Sequence, residues 1–294
     1  MSETKVLIFH TGYQDYLKFN CQITSTSNKI ILIGDSEVSH LSQINNVEFV
    51  NYEDYLKKDE IGYLKSHFEP YNFTDKKYVW LWYLRVFITK LFMEENNIEN
   101  IFHIDSDNIL LENINNFNFI EDNAYLVSNN FDNPFHMTAS IHSSLLSRNF
   151  FVEFQKLYED IFVTKEKFSM IEQKINYHES TRSGGICDMT LFYLLEKNNL
   201  VKVQNLMLPL TNNKNKNFVF MNDINDSEGF YEKKQYNMSF RGHIKTYKNK
   251  KNSGFSIYDI YNKKFINVAN IHYQGKAKRF LNQKALRKFQ NTNF

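Results

Sequence analysis

With 294 residues, 42% of them hydrophobic, the chain can bury a large core, and its length suits one large α/β unit or two small ones. Its 35 Lys and Arg nearly balance 33 Asp and Glu, and a net charge of +2 lacks the cationic excess of a nucleic-acid binder, so no nucleic-acid partner is expected. Two cysteines, Cys21 and Cys187, make no disulfide framework, and "MSETKVLIFHTGYQDY" lacks the basic start, apolar core and cleavage site of a signal peptide, so a cytoplasmic location is expected.

"KVLIFH" and "KIILIGDS" are short continuous apolar runs ended by turn residues, the pattern of strands buried on both faces of a parallel sheet, and "VEFVNYEDY" reads as a third strand. "TDKKYVWLWYLRVFITKLFMEENN" reads as a long helix, capped by Thr74 or Asp75 and stopped at Asn96 and Asn97. Arg85 and Lys90 interrupt its apolar run below the roughly 20 residues that span a bilayer, so it is expected to be buried in protein. "NIFHI" follows as a strand. This order implies an open, mostly parallel sheet flanked by helices, with ligands at the carboxyl ends of its strands.

Farther along, "AYLVSNN" and "MTASIHSSLLS" read as strands, and "NFFVEFQKLYEDIFVTKEKF" and "GGICDMTLFYLLEKNN" as helices. "TNNKNKN" and "KTYKNKKNSG" lack apolar periodicity and are expected to be mobile loops. No internal repeat suited to a solenoid is present.

Two patterns carry chemistry. In "NIENIFHIDSDNILLEN" the acidic pair Asp105 and Asp107 follows an apolar strand. In an extended segment the two side chains project together, their Cα atoms roughly 6.5 Å apart, while Ser106 points away. A divalent ion such as Mn²⁺ or Mg²⁺ takes such carboxylates together with phosphate oxygens; the plainer alternative is an acidic turn. The segment does not read as a calcium loop, because Ile109 and Leu110 stand where its third acidic ligand and glycine are required. The second pattern is "NVANIHYQGKAKRF", in which His272, Gly275 and Lys278 have the spacing H-x-x-G-x-x-K. An imidazole completes a metal shell, glycine admits a diphosphate close to the backbone, and lysine supplies charge to phosphate oxygens; a surface turn is the alternative.

The pairing of "DSD" with "HYQGKAK" resembles the GT-A glycosyltransferases, family 8 in particular. The resemblance implies a single GT-A domain over residues 1–294: an α/β fold with an open, mostly parallel nucleotide-binding sheet and a smaller acceptor-side region. It also implies a metal-dependent transfer of a hexose-type sugar from a nucleotide-sugar, UDP-linked first of all, to a glycan or protein-linked hydroxyl, with the anomeric configuration retained. Asp105, Asp107 and His272 would then hold Mn²⁺ or Mg²⁺. Arg85, Ser106, Gly275 and Lys278, with His10, Thr11 and Gly12 after the first strand, would contact the donor, and Asp188 and Lys278 would act in the transfer. Asp188 is preceded by Ile186 and Cys187 rather than the family's Asp-Gln, and Arg279-Phe280 stands in place of its Pro-Trp. A helix N-cap is the alternative use of Asp188, and pairing with a carboxylate that of Arg85. Asp35, after the second strand, is expected to be a turn residue outside the site.

Two other functions remain open at this level. A noncatalytic carbohydrate-binding or assembly module would use the same fold. A sugar nucleotidyltransferase would need a Gly-rich phosphate loop, and "FHTGYQDY" has one glycine. The basic segment over about 276–294 interleaves Lys276, Lys278, Arg279, Lys284, Arg287 and Lys288 with Phe280, Leu281, Leu286 and Phe289. It is expected to be a helix packed on the domain, with peripheral contact to an anionic membrane as the alternative.

Overall fold

The computed structural model describes residues 3–128, 137–225, 235–248 and 254–282. The strands are β1 (Val6–His10), β2 (Ile30–Gly34), β3 (Val47–Asn51), β4 (Asn100–Ile104), β5 (Asn108–Leu110), β6 (Asn123–Val127), β7 (Ala139–Ser147), β8 (Val203–Asn205), β9 (Leu210–Thr211), β10 (Asn217–Val219), β11 (Thr246–Lys248), β12 (Phe255–Asp259), β13 (Lys264–Val268) and β14 (Asn270–His272). The α-helices are α1 (Asp15–Thr24), α2 (Asp59–Ser66), α3 (Lys76–Glu95), α4 (Arg148–Tyr158), α5 (Ser169–Thr181) and α6 (Asp188–Lys197).

Seven strands form the main sheet in the order β3-β2-β1-β4-β7-β6-β8. Strands β3, β2, β1 and β4 run parallel, β6 pairs parallel with β8, and β7 alone opposes its neighbours. This is the expected α/β architecture of an open, mostly parallel sheet flanked by helices. From β1 the chain winds outward through β2 and β3, then returns to place β4 on the other side of β1. The order therefore reverses between β1 and β4, and it is beyond the carboxyl ends of such strands, here His10 and Ile104, that an open α/β sheet presents its ligand crevice.

Alternation along the strands sends neighbouring side chains to opposite faces. Leu7, Ile31, Ile33 and Ile101 join one core cluster with α3 to α6, whereas Val6, Ile8, Ile30, Leu32 and Phe102 join another with Leu17 and Cys21 of α1. Covered on both faces, β2 has no exposed position, which explains its unbroken apolar run. Helix α3 starts at Asp75, whose carboxylate accepts the Lys77 N–H at 2.8 Å. It is apolar around most of its circumference because the sheet takes one side and α4 another, with Phe87 against Phe154 and Tyr158 at 6.5 and 5.5 Å between ring centroids.

A second sheet has the order β11-β12-β13-β10-β9, and its inner face, including Phe255, Ile257, Ile266 and Val268, joins a third core cluster with Ile109 and Ile271. Here the expected loops need correction. "TNNKNKN" is mostly the turn of the β9–β10 hairpin, held by Asn212 Oδ1, which accepts the N–H groups of Lys214 and Lys216, each at 3.0 Å. Thr246 to Lys248 of "KTYKNKKNSG" pair with β12, and residues 249–253 lie outside the described residues. Helices α1, α2 and α5 are additional to the expected elements. In place of a helix starting at 276 stands one 3-10 segment, Gly275–Phe280; residues 283–294 lie outside the described residues. Among the described residues no helix is long and apolar enough to cross a membrane.

Candidate metal centre

Asp105 to Asn108 do not continue β4 as an extended segment. The chain turns there, with the Asn108 N–H donating to the Asp105 carbonyl at 3.0 Å, and re-enters as β5. Strand β14 then pairs antiparallel with β5 and sets His272 opposite Asn108, while the Tyr273 N–H donates to the Asp107 carbonyl at 2.9 Å. A three-residue ladder thus brings the two sequence patterns together from more than 160 residues apart.

Despite the turn, the side chains converge. One ligand atom each from Asp105, Asp107 and His272 lie within 4.8 Å of one another. Asp107 and His272 are buried, and the Asp105 carboxyl is one-third exposed. His272 Nδ1 donates to the Asn222 carbonyl, which fixes the ring and turns Nε2 toward Asp107, 3.3 Å from Oδ1. His142 stacks on this ring at 4.3 Å between centroids.

Each charge has its answer nearby. Lys278 Nζ lies 3.0 Å from Asp107 Oδ2 and sits over the Tyr16 ring at 5.1 Å. Arg85, from the middle of α3, donates to Asp105 Oδ1 at 3.0 Å and, through Nε and Nη2, to Asp188 Oδ2 at 3.2 and 2.6 Å. Arg85 therefore makes the carboxylate pairing open to it, and bridges the acidic turn to α6. Cys187 holds the N-cap position of α6, and Asp188 is the first helical residue, its Oδ1 accepting the Met189 N–H at 2.9 Å.

The titration of the cluster follows from these pairs. Burial alone would raise the Asp107 carboxyl, yet His272 and Lys278 hold it well below the usual carboxylate range. Asp105 is likewise lowered against its burial by Arg85 and His103. For Asp188 burial wins over Arg85, and its carboxyl is raised. Burial opposes protonation of His272, but Asp107 raises it to about 9. His142 is pushed down to about 3 by burial and by the neighbouring His272.

Behind the turn lies a buried amide network absent from the expected site. Asn20 of α1 donates through Nδ2 to the carbonyls of Asp105, Ser106 and Asn108 at 3.3, 2.9 and 3.0 Å, while Thr24 Oγ1 donates to its Oδ1 at 2.7 Å. Asn270 Nδ2 donates to Asn108 Oδ1 at 2.8 Å and to the Met221 carbonyl at 3.0 Å. These groups hold a charged turn open toward the crevice. Carboxamides on an amphipathic helix or within a short strand have no spacing that marks them, so the sequence carries no signal for this role.

The remaining expected residues lie at the end of β1, after β4 and after β14. His10 ends β1, its ring edge-on to Tyr16 at 5.8 Å, and its Nε2 is buried with no hydrogen-bond partner among the described residues. The Gly12 N–H donates to Asp35 Oδ2 at 2.6 Å. Asp35, expected to serve only a turn, thus ties the end of β2 to the loop after β1. Thr11 and Ser106 are half-buried, and Gly275, with φ of +57°, turns the chain from β14 into the Lys278 segment. The donor set of two carboxylates and one correctly presented imidazole suits Mn²⁺ better than the all-oxygen preference of Ca²⁺ or Mg²⁺.

No family model and no curated protein sequence matches the chain. It is similar to the solved structure of the PaToxG glycosyltransferase, at 13% identity and a TM-score of 0.38, over 67% of this chain and 73% of that one. It is also similar to the apo form of the glycosyltransferase GlyE from Streptococcus pneumoniae TIGR4, at 14% identity and a TM-score of 0.36, over 69% of this chain and 45% of that one. The chain thus spans less than half the length of GlyE, and likeness at this level identifies no residue of the site.

Proposed function

We propose that the protein is a metal-dependent glycosyltransferase, a single GT-A domain that moves a hexose-type sugar from a UDP-sugar to a hydroxyl of a glycan or a protein-linked acceptor, with retention at the anomeric carbon. The observation that carries this reading is the convergence of Asp105, Asp107 and His272 at the point where the strand order reverses. Those three residues would hold Mn²⁺, or Mg²⁺, and the bound ion would supply Lewis-acid charge to the donor diphosphate.

In the transfer, an acceptor hydroxyl oxygen bonds to the anomeric carbon on the face the diphosphate leaves, the bond from that carbon to the diphosphate oxygen breaks, and the nucleoside diphosphate departs with the electron pair and takes up the hydroxyl proton. Lys278, raised by Asp107 against the effect of burial, stays charged and adds preorganised positive potential where negative charge develops. A metal held at Asp107 would compete with its present pairing to Lys278, whose ammonium could then serve phosphate oxygens. Gly12 and Gly275, with Ser106, Thr11 and His10, border the crevice in which the nucleotide would lie. Both oxygens of Asp188 are engaged, by Arg85 and by the Met189 N–H, so its role is to position Arg85 and the transferred sugar rather than to take a proton.

Thermal unfolding with UDP, GDP or CMP, each with Mn²⁺ or EDTA, tests the reading, since a ligand selective for the native state raises its stability. A Mn²⁺-dependent rise with UDP, lost in Asp105→Ala and Asp107→Ala, is expected. Lys278→Met is expected to keep the Mn²⁺ response and to lower UDP-sugar turnover about 100-fold or more, the scale of losing one preorganised charge-stabilising group. Folded protein that responds to no nucleotide at saturation would instead support a noncatalytic module.

A further inference from the structure

Charge is divided along the chain far more sharply than a net of +2 suggests. Residues 233–294 hold fifteen of the 35 Lys and Arg and only one acidic residue, Asp259, a formal +14 against −12 for residues 1–232. Such asymmetry is the mark of a polyanionic partner, and the question is which kind.

The described part of this basic region puts cations beside exposed apolar side chains. Met238 and Ile244 form an antiparallel bridge, and the hairpin they close turns at Gly242, φ +73°, whose N–H donates to the Ser239 carbonyl at 3.0 Å. Phe240 at the tip is 93% exposed and Met238 43%. The Arg241 guanidinium lies over Phe240 at 5.1 Å and over Phe280 at 5.8 Å, and Arg279 lies over the same Phe280 at 4.9 Å. His243 meets Phe280 edge-on at 5.0 Å, and burial and the two arginines lower its pKa against the pull of Asp223. Among the described residues no carboxylate forms an ion pair with Arg241, Lys276 or Arg279.

Two guanidinium groups gathered at one ring repel each other, and a phenyl ring almost wholly in water leaves its apolar area unburied. A soluble polyanion would relieve the first cost only. An anionic bilayer relieves both, drawing the cations to its surface charge and the ring into the headgroup and acyl boundary. We propose that the hairpin tip from Met238 to His243, with Arg279 and Phe280, is a docking surface for an anionic lipid membrane. Phe280 lies two residues beyond Lys278, which contacts Asp107, so docking here brings the candidate metal centre close to the membrane. Delivery of membrane-borne acceptors to that centre rests on the transferase reading; the docking itself does not.

Co-sedimentation of the full chain with phosphatidylcholine vesicles, with and without phosphatidylglycerol, tests the surface without metal or nucleotide. Partition into the anionic vesicles alone, weakened at high salt, is expected. Replacing Arg241 and Arg279 together by Ala is expected to lower partition about thirtyfold, and Phe240→Ser about tenfold, with the melting temperature unchanged. Equal binding to neutral vesicles, absence of binding, or binding untouched by these replacements overturns the proposal. So does salt-sensitive retention on heparin without any vesicle partition, which would assign the cations to a soluble polyanion.

Discussion

His272 Nε2 and Asp107 Oδ1 stand 3.3 Å apart in the centre of the cluster, one from β14 and the other from the turn before β5, and each is partnered again, by the Asn222 carbonyl and by Lys278. Without metal this is an ion pair holding a proton on Nε2. On the metal-dependent reading proposed above, the same two atoms would be ligands, and the proton would have to leave.

That exchange gives a pH dependence with a definite sign. His272 titrates at about 9 in the metal-free protein, so below that value a bound proton competes with the ion. Mn²⁺ affinity measured by isothermal titration is expected to rise about tenfold per pH unit from pH 6.5 to about 9 and then level off. Stability without metal moves the other way: a folded value above the unfolded 6.5 gives stability fully present below 6.5 and lost as pH rises through about 9. His142 and His103, kept neutral by burial down to about 3 and about 4, lose stability as pH falls below 6.5, because only the unfolded chain then takes up their protons. A pH-independent Mn²⁺ affinity would falsify the assignment of His272 as a ligand.

Arg85 is the counter-charge of a carboxylate almost without solvent access, since the Asp188 side chain is 3% exposed. Arg85→Met strands that charge and is expected to cost about 3–5 kcal/mol in urea unfolding. Combining it with Asp188→Leu removes the stranded charge and is expected to recover most of the loss, while activity stays absent in both proteins. A single variant as stable as the double would show that the pair carries no such coupling.

How much of this was legible in the sequence depended on the kind of force at work. Strands β1, β2 and β4 and helix α3 announce themselves because burial on two faces demands unbroken apolar residues, and Asp75 caps as expected. The two site patterns could be joined because each chemistry needs particular residue types at short spacing. Helix α1 gave no comparable sign: Gln14 at its N-cap makes no side-chain bond, and its buried face includes the polar residues Asn20 and Thr24. The geometry of the acidic turn was equally hidden, because it depends on carbonyls held by Asn20 across the chain rather than on local preference. Lys- and Asn-rich segments concealed β9, β10 and β11, whose pairing comes from neighbouring strands and from Asn212, not from hydrophobic alternation.

Asn20 therefore has a measurable task. Asn20→Leu keeps the volume and removes donors from three carbonyls behind the acidic turn. A loss of about 2 kcal/mol is expected from leaving buried acceptors unpaired. Mn²⁺ affinity is expected to fall roughly 10- to 100-fold, as when an outer partner of a metal ligand is removed. Loss of stability with unaltered Mn²⁺ affinity would mean that the turn keeps its shape without the clamp.

Two glycines should separate backbone strain from steric exclusion. Gly12 has φ of +75° with nothing within 4 Å of an added Cβ, so Gly12→Ala carries only the left-handed penalty, about 1–2 kcal/mol. Gly185, φ +139°, packs so that a Cβ would lie 2.3 Å from the Tyr71 carbonyl oxygen and 2.5 Å from Asn72 Cα, both backbone atoms that cannot turn aside. The loop it belongs to is pinned there by the Ile186 N–H on the Tyr71 carbonyl at 2.7 Å and the Phe73 N–H on the Gly184 carbonyl at 2.8 Å. Gly185→Ala must push that loop off α3's leading segment and carry Asp188, three residues on, away from Arg85. Chemical denaturation is expected to show a larger loss for Gly185→Ala than for Gly12→Ala, with activity falling beyond what the loss of folded protein explains. Equal costs at the two positions would mean that the loop relaxes freely and that Asp188 does not depend on it for its place beside Arg85.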